Sequence, residues 1–122
     1  MWLYRRSILI AGATLALAAC ATRTDNTAQS LAQTPPIVFV HGNGDTAALW
    51  QTTVWRFESN GWPGNRLHAI NVPYPLSRDD DAKPQAGRTS AAENAAYLKA
   101  EVDKVLQSTG ASKVVLVGNS RG

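Results

Sequence analysis

The five residues Gly118-Asn119-Ser120-Arg121-Gly122 form a Gly-x-Ser-x-Gly pattern directly behind the apolar run Val114-Val115-Leu116-Val117. A serine in a tight turn out of a buried strand presents its hydroxyl above the sheet edge, where it can attack an electrophilic carbon. Such a turn puts the serine at an unfavourable positive φ, and the flanking Gly118 and Gly122 let it pass close to neighbouring backbone. A helix beginning after Ser120 would aim free N–H groups and a positive dipole end at a developing oxyanion. A second glycine-rich break, His41-Gly42-Asn43-Gly44, ends another apolar run, Ile37-Val38-Phe39-Val40.

Other residues capable of chemistry have plainer readings. His68 lies inside a strand pattern and reads as a core or edge residue, and Trp50, Trp55 and Trp62 read as packing in the core or a cleft wall. Asp79-Asp80-Asp81 reads as a solvated loop, because a metal site would require further spaced ligands. A glycine-rich turn after a strand also cradles pyrophosphate, but that fingerprint is G-x-G-x-x-G, and Ser120 stands where its second glycine must be. No cofactor and no metal are expected.

The elements that position these residues follow from periodicity. The continuous run Ile37–Val40 is the pattern of a strand buried on both faces of a parallel sheet. From Asp45 or Thr46, Trp50, Val54 and Phe57 recur at helical spacing until Asn60-Gly61. Leu67–Val72 reads as a second strand ended by Pro73 and Pro75, and a polar loop follows. Ser90-x-x-Glu93 is a capping box opening a helix with the stripe Ala95, Leu98, Val102, Val105 and Leu106, which Gly110 closes. Lys113–Val117 is a third strand. Strand, helix, strand, helix, strand is the order of right-handed parallel crossovers, so an open α/β sheet is expected.

The 122 residues fit one ordinary domain. Of twelve cations, Arg5 and Arg6 lie in a leader-like segment, leaving ten against nine acidic residues from Cys20 onward, a net of +1. These charges are scattered, so no nucleic-acid partner is expected. The start, MWLYRRSILIAGATLALAAC, has a basic head, a twelve-residue apolar stretch and small residues before Cys20, the build of an export signal. That stretch is short of the roughly 20 residues of a spanning helix. Leu17-Ala18-Ala19-Cys20 resembles the bacterial lipobox, which implies a lipidated Cys20 anchored in a membrane, and Arg5-Arg6 fits either the general or the twin-arginine export route. Ala21, where retained lipoproteins often carry aspartate, points to the outer membrane and periplasm. The expected organisation is a signal peptide over 1–19, a lipidated cysteine and flexible tether over 20–35, and a folded domain over 36–122.

With its two motifs in this order, IVFVHGNG and VVLVGNSRG, the chain from about Pro36 to Gly122 resembles the N-terminal part of an α/β-hydrolase of the serine lipase and esterase kind. The stretch PIVFVHGNGDTAALW is most similar to the class 2 triacylglycerol lipases. The resemblance implies an open, mostly parallel sheet with helices on both faces, here truncated after the nucleophile elbow. It implies Ser120 as nucleophile, the backbone N–H groups of Asn43 and Arg121 as the oxyanion hole, Gly42, Gly44, Gly118 and Gly122 as loop and elbow glycines, and a structural His41. The substrate would be a small-molecule or lipid ester. In that family the acid and then the histidine base follow the serine, so residues 1–122 alone are expected to be an inactive fragment. A lipid-anchored binding protein that keeps the fold without the chemistry is the alternative.

Overall fold

The computed structural model describes residues 30, 31 and 33–122. The expected signal peptide and Cys20 lie outside the described residues. One compact unit spans Thr34–Gly122. In the other, Met1–Gln33, the Gln33 N–H donates to the Ser30 carbonyl at 3.2 Å.

Three parallel strands form the main sheet in the order β2-β1-β5, with β1 at Ile37–Val40, β2 at Leu67–Ile70 and β5 at Val115–Gly118. Every residue of β1 is buried. Because side chains alternate across a strand, its four residues divide between two cores. Ile37 and Phe39 join Leu67, and against them pack Trp50, Val54, Phe57 and Trp62 from the helix α1 (Gln51–Ser59) and its flanks. Val38 and Val40 join Ile70 and Val105, and against them pack Tyr97 and Leu98 of the helix α2 (Ala91–Thr109). The two helices therefore cover opposite faces, an α/β arrangement. Phe39 is the aromatic centre of its side, with ring centroids 5.4 Å from Trp50 and 5.9 Å from Phe57.

Several details depart from the sequence pattern. The first helix opens as a 3-10 turn over Ala47–Trp50 capped by Thr46, whose hydroxyl accepts from the Ala48 N–H at 3.3 Å. Trp55 is exposed, one position off the Trp50–Val54–Phe57 stripe, and is not part of the core. In α2, Ala95 is exposed, and Tyr97 takes the place beside Leu98 on the packed side. The supposed loop after β2 contains a two-stranded parallel ribbon, β3 (Leu76–Ser77) with β4 (Arg88–Thr89). Among the described residues β5 is paired on one side only, and Val115 and Leu116 are exposed.

The capping box at α2 is complete. Ser90 Oγ accepts from the Glu93 N–H at 3.1 Å, and Glu93 Oε2 accepts from the Ser90 N–H at 2.7 Å. Chiefly that backbone bond holds the Glu93 carboxyl below its ordinary range; burial opposes it, and the Ser90 side chain and the Arg78 guanidinium, 2.6 Å away, add to it. A lowered folded value means that the carboxylate stabilises the fold at neutral pH and ceases to do so as pH falls through that value. Accordingly Ser90→Ala is expected to cost about 1 kcal/mol of stability. The melting-temperature gap between wild type and Glu93→Gln should be present at neutral pH and close below the ordinary carboxylate range, which thermal unfolding monitored by circular dichroism across pH would establish.

Candidate active site

Parallel pairing collects the carboxyl ends of the three strands, and the loops that leave them form the site. The register sets Val40 opposite both Ile70 and Gly118. The chain after β5 remains bonded to β1 for one more step, with the Asn119 N–H donating to the Val40 carbonyl at 3.1 Å. It then turns sharply at Ser120, which has φ +57° and is the one non-glycine with positive φ among the described residues. A Cβ on Gly118 would collide with the Gly122 backbone, and one on Gly122 with the carbonyls of Val40 and His41. The glycines at both ends of the pentapeptide are thus required by contact, and the turn can close only with hydrogen at those positions.

The loop after β1 lies against this turn. A Cβ on Gly42 would stand 2.9 Å from Ser120 Cβ and 3.0 Å from the Asn119 carbonyl oxygen. His41 is 3 % exposed and fixes where the loop leaves the sheet. Its Nε2 accepts from the Val72 N–H at 3.0 Å, so that nitrogen is unprotonated; Nδ1 carries the proton and donates to the Gly42 carbonyl at 2.9 Å. With both ring nitrogens engaged, His41 has no lone pair with which to accept a proton from Ser120. It is a structural residue tying β1 to the exit of β2. His68 is bonded instead near the start of β2, where its Nε2 donates to the Asn65 carbonyl at 3.1 Å.

Asn43 and Arg121 direct their side chains away into the ribbon. Asn43 Oδ1 accepts from the Ser77 N–H at 2.6 Å, and the neighbouring Gly44 N–H donates to the Pro75 carbonyl at 3.1 Å. Arg121 donates to the Thr89 carbonyl from Nη2 at 2.7 Å and to Thr89 Oγ1 from Nη1 at 3.2 Å. The backbone N–H groups of Asn43 and Arg121 and the Ser120 hydroxyl make no hydrogen bond among the described residues. The two turns thus carry two N–H donors without a partner and an exposed serine hydroxyl.

No group of three or more His, Cys, Asp or Glu side chains suited to a metal occurs among the described residues. The acidic run is spent locally. Asp79 pairs with Arg88 at 3.3 Å and Asp80 with Lys83 at 3.1 Å, while Asp81 accepts from the Ala91 N–H at 3.0 Å. Sequence reasoning brought out Ser120, Asn43, Arg121 and the glycines but missed Ser77 and Thr89, which anchor two of them. Neither lies in a motif or a periodic stripe that would have singled it out.

No curated protein matches the chain. The family model described as lipase (class 2) matches residues 34–122, a span that holds both strand-borne loops of the site. At the level of the family this means a hydrolase of the lipase and esterase type, acting on an ester. With that match over most of its length, the chain belongs to the class 2 lipase family.

Proposed function

We propose that the protein is a serine carboxylic-ester hydrolase in which Ser120 is the nucleophile and the N–H groups of Asn43 and Arg121 bind the oxyanion. The observation that carries this reading is the φ of +57° at Ser120, at the end of a parallel strand. A non-glycine residue in that region costs on the order of 1–3 kcal/mol and persists where the surroundings over-determine it. Here the strained turn leaves Ser120 exposed next to the unpaired N–H of Arg121.

In the reaction, Ser120 Oγ attacks the ester carbonyl carbon while its proton passes to a histidine base. The carbonyl π electrons move onto oxygen, which the two N–H groups receive. Collapse of the tetrahedral species breaks the bond to the alcohol, which leaves with the proton and an acyl-serine behind it. Water, giving a proton to the same base, then attacks the acyl carbon, and collapse of this second tetrahedral species breaks the bond to Ser120 Oγ, which takes the proton back as the acid is freed. In the family order the acid and the base that serve the serine follow it in the sequence. The lipid anchor at Cys20, with export to the cell envelope, is a further part of the proposal.

The alternative, a binding protein without chemistry, draws on the lack of a base bonded to Ser120 among the described residues. Only an activated serine reacts readily with a fluorophosphonate, so labelling separates the two. Full-length protein is expected to be labelled at Ser120, and Ser120→Ala to lower kcat for p-nitrophenyl esters by roughly 10⁴- to 10⁶-fold. Turnover within tenfold of wild type would sink the assignment. For the anchor, mass spectrometry of detergent-extracted protein is expected to find a diacylglyceryl-modified N-terminal Cys20; an unmodified N-terminus beyond residue 20 would refute it.

A further inference from the structure

The two rims of the site are held by one small element. On one rim Asn43 Oδ1 receives the Ser77 N–H, and on the other the Arg121 guanidinium grips Thr89 through its carbonyl and its hydroxyl. Ser77 and Thr89 are themselves register partners across the ribbon β3–β4. The connections close into a ring: Asn43 to Ser77, across to Thr89, on to Arg121 and Ser120, and back to Gly42, which lies so near Ser120 that a Cβ on the glycine would stand 2.9 Å from the serine Cβ.

The ribbon is internally braced. Thr89 Oγ1 donates to the Tyr74 carbonyl at 3.0 Å, the Arg78 N–H donates to the Thr89 carbonyl at 3.1 Å, and Arg88 Nη1 donates to the Ser77 carbonyl at 2.7 Å. Directly after Thr89 comes Ser90, the N-cap of α2, so the ribbon is also continuous with a long helix. A bidentate guanidinium grip holds direction as well as distance.

We propose that the β3–β4 ribbon sets the separation of the two oxyanion donors, with the side chains of Asn43 and Arg121, and with Thr89 between ribbon and elbow, acting as positioning groups. This rests on the serine hydrolase reading of the same site. The oxyanion is stabilised only by donors about 2.7–3.1 Å from where it forms, so a brace between the rims acts on the transition state and hardly on the bound ester.

The test uses full-length protein carrying Thr89→Val, Thr89→Ser, Arg121→Met and the double variant Thr89→Val/Arg121→Met, with Lys83→Ala as a control in the same segment. Thr89→Val and Arg121→Met are each expected to lower kcat for a p-nitrophenyl ester by about 10- to 100-fold, with KM within about twofold. Thr89→Ser, which keeps the hydroxyl, should restore kcat, and Lys83→Ala should leave it unchanged. The double variant should be no worse than Arg121→Met alone, because Arg121→Met already removes the bond to Thr89 Oγ1 that Thr89→Val removes. Fluorophosphonate labelling of Ser120 should slow in parallel, and melting temperatures should stay near wild type. If Ser120→Ala retains hydrolysis, the hydrolase reading itself fails. If hydrolysis depends on Ser120 but Thr89→Val and Arg121→Met keep wild-type kcat, the brace alone is overturned. It is equally overturned if activity falls only together with melting temperature, or if Thr89→Ser is as impaired as Thr89→Val.

Discussion

Val40 lies opposite Gly118 in the parallel pair β1–β5, and the geometry of the site follows from that register. It brings the His41 carbonyl under Gly122, the Asn119 N–H onto the Val40 carbonyl and Gly42 against Ser120. A slip by one residue would turn the side chains of β5 to the opposite faces and separate the glycines from the carbonyls they clear. What enforces the register is burial. Val38, Phe39 and their neighbours in β1 are sealed from water on both faces, and Val114 and Val117, from the segment that forms β5, pack against one core each.

With the strands in place, polar side chains do the finer adjustment. Three of the four residues His41–Gly44 are tied to the chain that follows β2, through Val72, Pro75 and Ser77. These bonds consume the side chains of His41 and Asn43 and the N–H of Gly44, and leave the N–H of Asn43 unpaired. At the elbow the pattern repeats, since Arg121 spends its guanidinium on Thr89 and keeps its backbone donor free. An unpaired N–H is tolerable because both residues reach solvent, where water can satisfy it until an anion competes.

The excursion between β2 and α2 links local folding to the site. Its acidic residues are joined to Lys83 and Arg88 or to backbone N–H groups, and the salt bridge from Arg78 to Glu93 connects it to the capping box. Most of these ion pairs are exposed and contribute little to stability one by one. Their effect is conformational, restricting a polar segment whose own core is too small to hold it.

Patterns within a few residues of one another were legible in the sequence. The run Ile37–Val40, the capping box Ser90–Glu93, the Gly110 cap and the strained serine between glycines each depend on sterics or hydrogen bonds inside one turn or strand, and the structure has all of them. The α/β layering followed, because a strand apolar at every position must be covered on both sides. The ribbon β3–β4 was not legible, since its strands are two residues long and carry no period. Nor were the exposure of Trp55 and Ala95, which depends on which flank of each helix meets the sheet. The bonds of Asn43 to Ser77 and of Arg121 to Thr89 span 34 and 32 residues. Ser77 and Thr89 look like ordinary loop residues until the register of β1, β2 and β5 brings the loops together. Tertiary structure alone decided those pairings, because a hydrogen bond between distant residues has no signature in either one's local sequence.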